Sequence, residues 1–346
     1  MKIARILRSA FALTVLLASL CAAAEKPADA VTSAPDIFAI NKRLGRGINL
    51  GNALDAPSEG AWGVTLKADY FKAIKAAGFD SVRLPIKWSA HAQTNAPFTI
   101  DAKFAERVDW AIDQALANQL SIIVNVHHYG EMDASPDAHE TRLNALWSQI
   151  APRYKDRPSN VIFELLNEPH DKLTEAKWNS IFPKLLATVR KTNPTRAVIV
   201  GPGKWNSIGA LPKLELPAND PRLIVTIHYY SPFEFTHQNA PWANGSAKWK
   251  GRTWTASDAE RAAVSKSFEE AAAWAKTNNR PVFLGEFGAY QEADMESRVR
   301  WTRFVTREAE RLGFSWSYWE FCSGFGAYDP KTDTWRAPLK AALIGR

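Results

Sequence analysis

Between Arg46 and Tyr318 the chain repeats one unit eight times: a short apolar run rich in β-branched residues, followed by a longer stretch of helical periodicity. The runs are 46–50, 81–86, 121–126, 161–166, 197–200, 223–227, 281–284 and 314–318. They are nearly continuously apolar, the pattern of strands buried on both faces of a parallel sheet. Between and after them lie the helical segments 66–77, 101–118, 138–154, 174–191, a short turn near 207–211, 256–277, 294–312 and 338–343. Gly78 and Gly313 close two of these. Thr174-Glu175-Ala176-Lys177 and Ser257-Asp258-Ala259-Glu260 open two others, the second as a capping box. Eight strand–helix units with right-handed crossovers predict an α/β chain folded as one (β/α)₈ barrel. A doubly wound open sheet is the structural alternative. No Pro/Ser/Thr-rich linker divides the chain, so a single catalytic-type domain over residues 25–346 is expected, without an appended binding module.

The first 24 residues read as a signal peptide: basic Met1–Arg8, apolar Ala10–Leu20, then small residues with Ala22 and Ala24 at −3 and −1, predicting cleavage after Ala24. A lipoprotein site at Cys21 is the rival, disfavoured by Leu20 before it. The apolar stretch is too short for a spanning helix, which needs roughly 20 residues. The expected mature protein is exported, periplasmic or extracellular, not membrane-bound and monomeric. Its charge falls from +7 to +4, because Lys2, Arg5 and Arg8 leave with the leader. Only Cys322 then remains, so no intramolecular disulfide can form and stability must come from the core. About 320 residues suffice for that, since a chain of this size buries roughly 75% of its unfolded surface.

In such a barrel, chemistry sits where strands end on the carboxyl face, and the residues there are polar. The first strand ends in Asn49-Leu50-Gly51-Asn52 and the second carries Arg83. The third ends in His127-His128, the fourth in Asn167-Glu168-Pro169, the sixth in His228-Tyr229-Tyr230, the seventh in Glu286 and the eighth in Trp319-Glu320. Buried polar groups are costly unless paired, so a ring of them at one mouth implies a site. Glu168 and Glu286 are expected to face each other there. Glycosidic bond cleavage needs two such carboxyl groups, one donating a proton to the leaving oxygen and one acting at the anomeric carbon. Gly285 and Gly288 would leave room beside Glu286 for a bulky ring.

Asn167-Glu168-Pro169, Gly285-Glu286-Phe287-Gly288, His228-x-Tyr230, Arg83 in Val82-Arg83-Leu84-Pro85, His127 and Trp319 together resemble glycoside hydrolase family 5, the cellulase family. The likeness runs from Gly47 to Trp335 and is strongest to bacterial endo-β-1,4-glucanases, through 228–238 and 318–326. It implies a retaining mechanism with Glu286 as nucleophile and Glu168 as acid/base, supported by Arg83, Asn167, His228 and Tyr230. Carboxyl groups at the retaining separation, about 5–5.5 Å, resist double ionisation, so one should carry the proton that the other lacks. The resemblance also makes Trp319 the platform for the sugar at the cleavage point. Asp55, three residues after Asn52, stands where close relatives usually have glutamate, and its side chain, one methylene shorter, is not expected to reach a sugar.

The fourteen tryptophans divide by position. Trp205 after the fifth strand and Trp242 in the loop 231–253 are candidates for leaving-group subsites; Trp62, Trp249 and Trp254 also lie on loops. Trp110, Trp147, Trp178, Trp274 and Trp301 fall in helical patterns and should pack helices on the barrel, and Trp316 should be core. Asn52, His127 and His128 complete the expected sugar contacts. His127, His128 and His228 invite a zinc reading, but adjacent histidines on a strand should point to opposite sides and no His-Glu-x-x-His or Cys cluster exists. Neither metal nor cofactor is expected. Lys and Arg are scattered among acids, which argues against nucleic acid. The partner expected is a β-glucan or related polysaccharide. A β-mannanase or mixed-linkage glucanase of the same family and a catalytically silent glucan-binding barrel remain the alternatives.

Overall fold

A computed structural model describes residues 36–345; the predicted leader lies outside the described residues. Eight strands, β1 (Arg46–Asn49), β2 (Ser81–Leu84), β3 (Ser121–Asn125), β4 (Val161–Glu164), β5 (Val198–Val200), β6 (Leu223–His228), β7 (Val282–Glu286) and β8 (Ser315–Tyr318), pair in sequence order. All pairs are parallel, and β1 pairs with both β2 and β8, which closes the barrel and removes the open-sheet alternative. Every predicted strand is present, with ends within two residues of expectation.

The predicted helices form α2 (Ala68–Ala77), α3 (Ala102–Ala117), α4 (Pro136–Arg153), α5 (Glu175–Arg190), α6 (Asp258–Asn278), α7 (Met295–Arg311) and α8 (Ala337–Ile344). Their local signals act as written. Thr174 caps α5 by accepting from the Lys177 amide, and Ser257 and Glu260 close a reciprocal capping box on α6. Gly78 takes the left-handed conformation (φ 104°) that ends α2. After β5 the connection is only a short turn at Ile208–Lys213. Several elements carry no prediction above: a helix before the barrel, α1 (Ile37–Leu44), a small antiparallel hairpin, β9 (Tyr328–Asp329) with β10 (Thr334–Trp335), and short helical turns such as Gly130–Ala134 after β3. Among the described residues no helix is long and apolar enough to cross a membrane.

Strand alternation splits the core in two. Ile122, Val124, Val161, Phe163, Val198, Val225 and Leu284 face outward into the layer shared with the helices. Ile123, Ile162, Ile199, Ile224 and Phe283, of the other parity, fill the barrel's interior at its amino end, plugged from below by Ile37, Ile40 and Leu44 of α1. Two residues further along the same inward faces stand Asn125, Glu164, Gly201, Thr226 and Gly285, and β1, β2 and β8 add Asn49, Arg83 and Ser317, with Asn49 paired to Arg83. The interior therefore turns from aliphatic to polar within one step of the two-residue period.

Candidate active site

The polar layer is organised by Arg83, which is completely buried. Its Nε and Nη2 donate in a fork to the two oxygens of Glu164, at 2.7 and 2.6 Å. Nη1 donates to Asn49 Oδ1 (2.9 Å) and to Glu286 Oε1 (2.7 Å), and Nη2 also to Asn167 Oδ1 (2.7 Å). Burial alone would weaken the guanidinium's hold on its proton, but Glu164 and Glu286 outweigh that and keep it charged. Glu164 is concealed in the sequence because it lies inside the otherwise apolar run 161–166. The available signal was a lone acid in β4 and a lone arginine in β2, the one charge in each strand.

Glu286 closes β7. The β6–β7 register shifts between Ile227 and His228, so His228 pairs with Glu286 at the barrel mouth. Besides Arg83, the carboxylate accepts from the Tyr230 hydroxyl at 2.9 Å on Oε2. Glu168 follows β4 in a left-handed conformation (φ 46°) that turns it over the mouth, where its Oε1 lies 2.6 Å from His228 Nδ1. One carboxylate oxygen of Glu168, one of Glu286 and a ring nitrogen of His228 all lie within 4.8 Å of one another. Burial raises both carboxyls, Glu168 to about 7, while the Arg83 charge and hydrogen bond oppose the rise at Glu286. Glu286, not Glu168, accepts directly from the charged Arg83, which places the proton of the pair on Glu168.

Hydrogen bonds assign the neighbouring rings. Burial lowers the His228 pKa to about 4, leaving the ring neutral. Asn206 Nδ2 lies 3.3 Å from Nε2 as a donor, so Nδ1 carries the hydrogen that Glu168 accepts. His127 is likewise neutral through burial. Asn125 Oδ1 accepts from the Ile86 amide, which fixes Asn125 Nδ2 as donor to His127 Nδ1 and leaves the His127 Nε2 hydrogen facing Glu286 Oε1 at 3.9 Å.

A cleft of about 1440 Å³ runs over these groups, lined by Asn52, His127, His128, Glu168, His228, Tyr230 and Glu286 and by Trp62, Trp205, Trp242 and Trp319. Arg83 and Asn167 lie beneath it, so all twelve predicted site residues converge on one region. Four readings change, and the doubt over a sugar contact at Asp55 is sustained. His127 and His128 do not point apart: β3 ends at Asn125, His128 is left-handed (φ 48°), and both rings line the cleft, edge to face at 4.5 Å. Gly285 and Gly288 make room for protein, not for substrate. A Cβ at Gly285 would stand 2.5 Å from Thr226 Oγ1, and one at Gly288 would stand 2.0 Å from the Trp319 carbonyl oxygen. Asp55 is wholly buried and spends its carboxylate on the Asn52 and Ala53 amides. Glu320 turns away from the mouth to accept from the amides of Cys322, Ser323 and Phe325. Trp254 is fully buried and Trp249 packs against Phe233, so neither loop tryptophan lines the cleft.

The helix tryptophans pack as predicted: Trp147, Trp178 and Trp301 are fully buried, as is Trp316, and Trp110 and Trp274 are half-buried against the same core. Two clusters, Asp55–His127–His128 and Glu168–His228–Glu286, bring three potential ligand atoms within reach of one ion. In both, the carboxylates already accept from protein donors, and the Arg83 charge on Glu286 opposes a second cation there.

The cellulase (glycosyl hydrolase family 5) profile matches residues 46–324. Endoglucanase H of Acetivibrio thermocellus is 38% identical over 294 residues, 85% of this chain but only 31% of that protein, so the chain spans about a third of that relative's length. Endoglucanase B of Clostridium cellulovorans is 31% identical, covering 86% of this chain and 72% of its own length. Among solved structures, Thermotoga maritima Cel5A in complex with cellobiose superposes with a TM-score of 0.88 at 50% identity, over 89% of this chain and all of that one. The same enzyme is also solved with mannotriose, at the same TM-score and identity. With both glutamates, their supporting arginine and tyrosine and the barrel that holds them in place, the chain belongs to the cellulases of glycosyl hydrolase family 5.

Proposed function

We propose that this glycoside hydrolase is a retaining endo-β-1,4-glucanase acting on soluble or amorphous glucan. The observation that carries the reading is the closeness of the two carboxyl groups. With oxygens within 4.8 Å of each other, the pair fits a direct attack on the anomeric carbon, whereas an inverting pair stands roughly 6.5–9.5 Å apart to admit water. Glu286, held by Arg83 and Tyr230, is the nucleophile. Glu168 protonates the leaving oxygen and then, deprotonated, activates water to release the glycosyl enzyme. Asn167, its Oδ1 engaged by Arg83, has its amide hydrogens to offer the sugar 2-hydroxyl. Trp319, lying parallel to His127 at 5.8 Å, supplies the flat surface beneath the reacting sugar.

An open cleft with exposed tryptophans, Trp205 and Trp242, suits internal sites on a chain. Removal of residues 1–24 and export as a monomer complete the proposal. The test compares purified protein on carboxymethyl cellulose, barley β-glucan, glucomannan and galactomannan. Rapid loss of viscosity on the glucans is expected. Fastest turnover on galactomannan would overturn the glucanase assignment, and no hydrolysis of any substrate would favour a silent binding protein.

A further inference from the structure

Three carboxyl-face loops meet behind Trp205, at a residue that does not line the cleft. The His170 ring stacks on the Trp205 indole, with centroids 4.7 Å apart and planes 21° from parallel. His170 Nδ1 lies 2.5 Å from the Glu168 carbonyl oxygen. A carbonyl can only accept, so Nδ1 carries a hydrogen and donates it. The Trp205 amide in turn donates to the Pro169 carbonyl at 3.2 Å. Both turns are held in left-handed backbone that costs free energy unless the surroundings impose it: Glu168 and Asp171 on one side, and Lys204, Trp205 and Asn206 on the other, all at φ between 46° and 57°. Beneath them sits Asp133, buried, from the short helical turn after β3. Its Oδ1 accepts from the His170 amide at 3.3 Å and lies 3.6 Å from His170 Nδ1, while its own carbonyl accepts from the Lys172 amide.

From this juxtaposition we infer that His170, seated on Asp133, is a positioning residue that joins the Trp205 platform to the backbone of Glu168, so that a sugar stacked on the leaving-group side and the proton donor are placed as one unit. This rests on Glu168 acting as acid/base. His170 touches neither substrate nor the reacting atoms. It gives Trp205 a rigid backing on one face, leaving the other for a sugar ring, and it fixes the carbonyl of the residue whose side chain must reach the glycosidic oxygen. A platform on a free loop would bind the leaving-group sugar without registering it against the donor.

Two variants separate the halves of this role. His170→Asn keeps an amide N–H for the Glu168 carbonyl but removes the ring; His170→Phe keeps a ring for Trp205 but removes the donor. Each is assayed with wild type on cellohexaose and on β-cellobiosyl fluoride, whose leaving group neither stacks nor needs much help from a proton donor. His170→Asn should raise KM for cellohexaose about 2- to 10-fold, the value of one aromatic stacking contact, with kcat nearly unchanged. His170→Phe should lower kcat on cellohexaose with little change in KM. Neither should alter turnover of the fluoride by more than about 2-fold, the resolution of such comparisons. Trp205→Ala should add little to KM in the His170→Asn background, because the two act through one contact. Equal losses on both substrates, or fully additive effects of Trp205→Ala and His170→Asn, would overturn the inference. Wild type that hydrolyses neither substrate would instead sink the assignment of Glu168 and Glu286.

Discussion

The two ends of this barrel are made by the same eight strands and could hardly differ more. At the amino end the inward faces carry Ile123, Ile162, Ile199, Ile224 and Phe283, sealed by α1. One step along, the same faces carry Arg83, Glu164, Asn49 and Asn125, all fully buried and all hydrogen-bonded to one another or to the neighbouring backbone. The lower layer is held by contact alone and tolerates any shape-compatible aliphatic side chain. The upper layer must satisfy charge and direction at every member, since a buried charge stripped of its partner is among the most damaging changes a core can suffer. Both layers thus carry stability, but positional demand is concentrated above, the division expected where a rigid scaffold holds a reactive pair.

Residues 162 and 164, adjacent inward positions of β4, allow that contrast to be broken most directly. Glu286→Ala should remove activity to the limit of detection while leaving the amino-end layer, and hence folding, intact by circular dichroism. Glu168→Ala should lower kcat/KM on oligosaccharides by about 10²- to 10⁴-fold, the range of a positioned general acid. Glu164→Ala should cost about 3–5 kcal/mol in urea unfolding and, by releasing Arg83, lower kcat/KM on the order of 10²-fold. Ile162→Ala should cost a comparable 2–5 kcal/mol or so with kcat/KM almost unchanged. If Glu164→Ala and Ile162→Ala affected activity alike, the functional split between the layers would be wrong.

The smallest effect is in pH. With the roles proposed above, activity needs Glu286 charged and Glu168 protonated, so the rate should fall at low pH as Glu286 takes a proton. It should fall again above about 7 as Glu168 loses its own. The same upward shift has a stability consequence. A carboxyl whose folded pKa is raised favours the fold below its unfolded pKa and loses that contribution as pH rises through the folded value. Glu168→Gln, which cannot ionise, should therefore raise Tm relative to wild type at pH 8 by a few degrees, and by less at pH 5.

The strand count, the closing helices and the convergence of the twelve candidate residues on one mouth were legible because each leaves a local mark: an apolar run, a cap, or a polar or aromatic residue where a strand stops. Glu164 was not, because its meaning depends on Arg83 reaching it across the barrel interior from two strands away, a contact that no single segment encodes. His170 and Asp133 were hidden for a similar reason, as one is a loop residue after a proline and the other an acid on a short helix until the fold stacks them behind Trp205. The glycines misled in the opposite sense: small residues beside Glu286 suggested space for a ligand, but Thr226, His228 and Trp319 fill it. Helix α1 went unseen because its apolar residues have no partner until the barrel has closed above them.

The central claim is that the polar layer holds Glu286 as the nucleophile opposite Glu168 as acid/base, and rescue with azide tests it directly. In Glu286→Ala, azide should enter the space of the lost carboxylate, attack from that face of an activated cellobioside, and give the α-glycosyl azide. In Glu168→Ala it should instead attack the glycosyl enzyme from the opposite face and give the β-glycosyl azide. A β-azide from Glu286→Ala together with an α-azide from Glu168→Ala would contradict the account by exchanging the two roles.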